Sequence, residues 1–247
     1  ESWGNLDLLT ATEKSVNTIY VPLGMKAGLE KVVDVARRAG IPESVEMVAS
    51  PSVSLGAASP HVIDLANAYA TFAAQGVYAK PFIINEVQGP NKGILYQGRI
   101  QAQEVFRKDV MADLTYAFSK VTSSGTAAVV GARVGRPTAG KTGTSNDNAS
   151  AWFNGYTPEV AASVAFYRDD ATQSLNGIGG LTSVTGGSFP ARLWAEFVKG
   201  YLKKSPVQEF PAPAYIGGTE AINFINSVPQ MDPALIPPSP SPSKKKR

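Results

Sequence analysis

Four consecutive residues, Lys141-Thr142-Gly143-Thr144, constrain this chain more than any other stretch. They set a cation, two hydroxyls and a residue without a side chain next to one another. If the run is a strand, side chains alternate, so Lys141 and Gly143 share one face and Thr142 and Thr144 the other. Gly143 lets a ligand approach the backbone closely. At a strand edge, unpaired N–H groups and hydroxyls can hold a carboxylate or an oxyanion. The same residues support a second chemistry. Gly135 to Thr142 reads Gly-Arg-Pro-Thr-Ala-Gly-Lys-Thr, the G-x-x-x-x-G-K-[ST] pattern of a phosphate-binding nucleotide loop.

Context separates the two. A phosphate loop needs a helix starting at its Lys-Thr. Here Lys141-Thr142 runs into Gly143-Thr144-Ser145-Asn146-Asp147-Asn148, which is turn composition. Trp152 to Tyr156 then reads as a strand. Pro137 also removes one backbone N–H from the would-be cradle. The strand reading is preferred, and a nucleotide-binding protein is the alternative.

Composition narrows the chemistry further. A chain of 247 residues makes one large domain or two small ones. It has no run of roughly 18 apolar residues for a membrane span. Cysteine is absent, which excludes disulfides, thiolate metal sites and a cysteine nucleophile. His61 is the single histidine and sits at a helix start, so a capping or surface role is expected. No cofactor and no metal are expected. Four of the 23 basic residues are Lys244 to Arg247, leaving 19 against 20 acidic ones, a balance of −1. The basic tail alone gives the chain its positive charge, so no nucleic-acid partner is expected.

Periodicity places the elements. Leu6, Leu8, Leu9 and Ala11 suggest a short helix. The spacing of Leu29, Val32, Val33 and Ala36 predicts a helix over 26–39, stopped by Gly40. Ser59-Pro60 reads as the cap and first residue of a helix carrying Val62, Leu65 and Tyr69, ended by Gly76. Residues 81–87 and 93–96 read as a hairpin. A helix is expected over 109–121, a breaker cluster at 123–127, a second hairpin over 151–156 and 160–167, a glycine-rich loop at 177–187 and a helix over 190–202. Together these predict an α+β fold: one antiparallel sheet with helices packed on both sides. Residues 1–203 form the domain, 204–233 an irregular extension wrapping it, and 234–247 a Pro/Ser-rich basic tail without fixed structure.

The order of motifs carries a resemblance. Ser15-Val16-Asn17, then Gly125-Thr126-Ala127, then Lys141-Thr142-Gly143-Thr144 resembles the transpeptidase domain of class A penicillin-binding proteins. So does the text between and around them: Asp64 to Ala73, Ala139 to Asp147, Ala151 to Pro158, and Thr185-Gly186-Gly187 followed by Pro190-Ala191. The resemblance covers about residues 1–203. It implies a fold like penicillin-binding proteins and serine β-lactamases. It implies a serine that attacks a peptidoglycan stem peptide ending in D-Ala-D-Ala, and an acyl-enzyme resolved by an amine of a neighbouring stem. It also implies β-lactam antibiotics as ligands and a place on the extracytoplasmic face of a bacterial plasma membrane, held by an N-terminal anchor. A D,D-carboxypeptidase, in which water replaces the amine, is the same-class alternative. A non-catalytic module that binds cell-wall peptide is a third reading.

Motif by motif, the resemblance gives Lys141 a positive charge and a hydrogen bond to the Ser15 hydroxyl. Ser15 would relay a proton to the leaving amine. Asn17 would bind the substrate amide and orient the catalytic lysine. Thr142 and Thr144 would bind the donor carboxylate, the Thr144 N–H would serve the oxyanion, Gly143 would give the substrate room, and Thr126 would lie near the site. The chain departs from the family pattern in one respect. The family nucleophile sits in a Ser-x-x-Lys element tens of residues before Ser-x-Asn, and fourteen residues precede Ser15 here. Ser241 to Lys244 and Ser243 to Lys246 match the spacing, but both fall in the tail. The expectation is therefore a C-terminal fragment, inactive alone and incomplete as a fold. It would be held non-covalently to an N-terminal fragment of the same protein that bears the Ser-x-x-Lys.

Overall fold

The computed structural model describes Trp3 and residues 5–217; the predicted tail at 234–247 and the far part of the extension lie outside these residues. Seven helices and seven strands follow one another among them. They are α1 Leu8–Lys14, α2 Asn17–Ala27, α3 Leu29–Ala39, α4 Val62–Ala73, β1 Val77–Ala79, β2 Glu86–Gln88, β3 Ile94–Gln97, β4 Ala102–Glu104, α5 Lys108–Ser123, α6 Ala128–Val134, β5 Ala139–Thr144, β6 Ser150–Tyr156, β7 Ala161–Tyr167 and α7 Phe189–Tyr201.

The main sheet is an antiparallel meander, β5-β6-β7. Its register pairs Lys141 with Asn154, Thr142 with Phe153 and Thr144 with Ala151, and then Phe153 with Val164. Alternation decides what each face meets. Phe153 and Val164 face α7, where the Trp194 ring meets Phe153 edge-on at 5.3 Å. Trp194 is fully buried and donates its indole N–H to the Ala162 carbonyl at 3.0 Å. Ala139, Tyr156 and Ala161 face the other way, towards Tyr69 and Phe72 of α4. Burial holds the Tyr69 and Tyr156 phenols well above their usual range. The Tyr156 hydroxyl bonds Thr115 of α5 at 2.9 Å. Helix α5 straddles the β5 edge, giving Phe118 to the α4 side and Val121 to the α7 side. Helices thus pack on both faces of this antiparallel sheet, as the sequence predicts.

Three local expectations are corrected. The helix predicted over 26–39 is two helices meeting at Gly28, whose φ of 99° is left-handed territory that favours glycine. The helix predicted from Ser59-Pro60 starts later, at Val62. Asp64 accepts the His61 N–H at 2.9 Å, so His61 is the cap, and that reciprocal bond outweighs the Ser-Pro signal. The single predicted sheet is three. The hairpin β2–β3, exposed along its whole length, and the pair β1–β4 form separate two-stranded ribbons.

Beyond α7 the chain doubles back across the domain. Arg136 donates to the carbonyls of Leu202 at 2.9 Å, Ser205 at 3.2 Å and Pro206 at 3.4 Å. Phe210 meets the Tyr156 ring edge-on at 5.6 Å. Asp113 accepts the N–H groups of Ala214, Tyr215 and Ile216 at 2.7–2.9 Å, which lowers its carboxyl below the usual range. Arg136 also pairs with Glu159 in the β6–β7 turn at 2.8 Å, and both side chains are about nine-tenths buried. Removing one partner of such a pair strands a buried charge, at about 3–5 kcal/mol. Arg136→Ala is therefore expected to lower the denaturation free energy by roughly that amount, and adding Glu159→Ala to recover part of it. Chemical denaturation of both variants checks this; equal losses in the single and double variants contradict it.

Candidate active site

The site begins where α1 ends. Ser15 caps that helix in the left-handed conformation, with φ 58° and ψ 51°, and its N–H bonds the carbonyls of Ala11 and Thr12. A serine here carries strain that a glycine would not, the kind of outlier that clusters at functional sites. Val16, only 3 % exposed, anchors the next residue in the core and starts α2. Asn17 opens α2, is exposed, and makes no side-chain hydrogen bond among the described residues.

The second wall is β5, an edge strand of the main sheet. Lys141 Nζ reaches Ser15 Oγ at 2.7 Å, across 126 residues of sequence, and its own neighbour's carbonyl, Thr142 O, at 2.9 Å. Burial strips water from the ammonium and lowers its pKa to about 8. Lys141 stands at one end of a polar row that crosses the sheet through Asn154 and Ser163. On the opposite face of β5, Thr142 Oγ1 and Thr126 Oγ1 share a hydrogen bond at 2.7 Å. Thr126 is brought there by the turn between α5 and α6, where its N–H bonds the Glu13 carbonyl at 3.2 Å. Thr144 Oγ1 accepts the Gly186 N–H at 3.1 Å. A β-carbon on Gly143 would come within 3.4 Å of the Trp152 Cβ, so the bare position keeps this stretch of strand low.

Ser15, Lys141, Thr126, Thr142 and Thr144 thus gather at one strand edge. Asn17 comes close in sequence but joins no bond. The contact sequence reasoning missed is that of Gly186, whose motif Thr185-Gly186-Gly187 was visible while its partner 42 residues away was not. The nucleotide-loop alternative fails on geometry. Gly135 ends α6, Arg136 is engaged with Glu159 and the carbonyls beyond α7, and Lys141-Thr142 lies inside a strand. After Thr144 comes a short turn at Asn146–Asn148. No helix starts at Lys141-Thr142 to turn its N-terminus to a phosphate.

A family model described as the penicillin binding protein transpeptidase domain matches residues 1–173. The chain belongs to that family. Penicillin-binding protein 1A of Mycolicibacterium smegmatis is 32% identical over 263 residues, covering 98% of this chain and 32% of that protein. The chain thus spans about a third of the length of the curated relatives it matches. Among solved structures, the PonA1 protein of Mycobacterium tuberculosis in complex with penicillin V superposes with a TM-score of 0.77 at 29% identity, covering 86% of this chain and 61% of that one. A second structure of PonA1 gives a TM-score of 0.79 at 28% identity, covering 98% and 65%. The transpeptidase fold read from the motifs is the fold of these neighbours. Among the described residues no helix is long and apolar enough to cross a membrane.

The lysine makes a measurable prediction. Between about 8 and its ordinary value of 10.5, the unfolded chain holds a proton that the folded chain has released. Stability then rises with pH across that window, because the unfolded state binds more protons there. Titration of the Lys141 side chain by NMR is expected to show a midpoint near the lower value. A midpoint near 10.5 would contradict the desolvated contact with Ser15.

Proposed function

We propose that this chain supplies two walls of the active site of a peptidoglycan D,D-transpeptidase, an acyl-enzyme catalyst and β-lactam target. The observation that carries this reading is the 2.7 Å bond between Lys141 and Ser15, set beside the threonines of an edge strand. Family membership supports acyl transfer by a serine. Residues 1–203 contain no Ser-x-x-Lys, so the nucleophile is assigned to polypeptide outside them. That companion segment is the expected protein partner, and this chain alone is expected to be inactive.

The roles follow from the chemistry. The donor peptide lies as an added strand along the Lys141–Thr144 part of the β5 edge that no strand pairs. Its terminal carboxylate meets the Thr142 and Thr144 hydroxyls, and Gly143 leaves room for its backbone. The serine oxygen attacks the carbonyl carbon of the penultimate D-alanine. The Thr144 N–H receives the oxyanion. The carbon–nitrogen bond breaks and the terminal D-alanine leaves, taking a proton through the Ser15 hydroxyl. The Lys141 ammonium favours this path by placing positive charge beside Ser15 and the developing negative charge. Asn17 binds the substrate amide, and Thr126 steadies Thr142. An amine of a second stem then attacks the ester and releases the serine; water in its place gives carboxypeptidase activity. The site works outside the plasma membrane, where stem peptides are.

Fluorescent penicillin offered to the full-length protein tests the reading. A single labelled peptide is expected, from outside residues 1–247, and Lys141→Ala is expected to slow labelling by about two to three orders of magnitude. A label on any serine within residues 1–247 contradicts the assignment of the nucleophile. Labelling untouched by Lys141→Ala contradicts the role of the strand.

A further inference from the structure

A threonine row binds an anion only if its hydroxyl protons point outwards. Each hydroxyl has one proton to give and can also accept. Thr126 and Thr142 spend one proton on each other. Thr144 accepts from the Gly186 N–H, so one of its two lone pairs is occupied and its proton is left for a ligand.

The donor of that bond sits in a turn with no spare room. A β-carbon at 186 would stand 2.2 Å from the Trp152 carbonyl oxygen and 2.7 Å from the Gly143 oxygen. One at 187 would stand 2.2 Å from the Thr126 oxygen. The turn is therefore wedged between the β5–β6 pair and the Thr126 turn, in contact with the backbone on both sides. Ser188 holds it shut: its hydroxyl donates to the Thr185 carbonyl at 2.6 Å and accepts the Thr185 N–H at 3.0 Å. From there the chain enters α7, which Trp194 fixes to the sheet.

We infer that Gly186 is a positioning residue for carboxylate recognition. Its N–H, brought close by a turn that tolerates no side chain at 186 or 187, makes the Thr144 hydroxyl a donor towards an anionic ligand. Gly186 touches no substrate and acts through Thr144. The inference rests on the proposed role of Thr142 and Thr144 as the carboxylate site.

The test compares acylation of the full-length protein by benzylpenicillin and by its methyl ester, which lacks the carboxylate charge. The wild type is expected to prefer the acid. Gly186→Ala, whose methyl must push the turn away from Thr144, is expected to slow the acid about tenfold more than the ester, as befits one hydrogen bond to a charged group. Thr144→Val is expected to widen the gap between acid and ester by a similar factor, and the double variant to widen it no more than either alone. Equal slowing of acid and ester by Gly186→Ala overturns the inference, since a merely structural defect spares neither. A wild type that reacts with both alike overturns it by removing the carboxylate site. A wild type that neither reagent acylates fails at the transpeptidase reading itself. Should Gly186→Ala not fold, hydrogen exchange at the Gly186 amide decides. Faster exchange in Thr144→Val but not in Thr144→Ser supports the inference, and no change in Thr144→Val overturns it.

Discussion

A buried ammonium facing a serine hydroxyl is the interaction on which the rest of this structure depends. Lys141 gives up most of its water to reach Ser15, and burial lowers its pKa accordingly. A cation that loses water needs hydrogen bonds in its place. Ser15 Oγ and Thr142 O supply two. The serine is presented by the end of one helix and the lysine by a sheet edge far along the chain. Neither element holds the geometry alone. It survives because α1 and α5 pack together and α5 packs in turn along β5. The strained backbone at Ser15 is held by the same packing.

The sheet uses its alternation to divide the chemistry. One face of β5 gives the lysine to Ser15. The other gives Thr142 and Thr144 to the turns that bear Thr126 and Gly186. Each of those turns is tied to a helix that belongs to the core. The Thr126 turn follows Val121, and the Gly186 turn precedes Trp194, and both of these residues are fully buried. Thr142 and Thr144 are thus open to ligand while the core faces of the helices that support them are buried. That matches what a preorganised site requires, since donors that need no rearrangement cost nothing at the moment of reaction.

Much of this could be read from residue patterns, and the exceptions have physical causes. The strands at 151–156 and 160–167 flank the turn signal Thr157-Pro158-Glu159, and α5 repeats its apolar residues at helical spacing, so their existence was legible. Helix α2 was not, because Pro22 lies within it and its apolar residues form no single stripe. Helix α6 was hidden behind the breaker cluster at 123–127 and is only seven residues long. Strands β1 and β4 are three residues each, too short to show a period. The site residues were legible only as motifs in order, through family resemblance; no local pattern pairs Ser15 with Lys141. The Gly186 contact was beyond reach, because a backbone N–H leaves no trace in composition.

The central claim is that Ser15 and the lysine–threonine strand form one pocket that accepts a D-alanyl peptide end. A crystal structure of the full-length protein bound to a peptide terminating in D-Ala-D-Ala tests it most directly. The peptide is predicted to run along β5, with its carboxylate on the Thr142 and Thr144 hydroxyls and its scissile amide within reach of Ser15 Oγ. A peptide bound elsewhere, or Ser15 and Lys141 drawn apart with no ligand between them, would contradict the account.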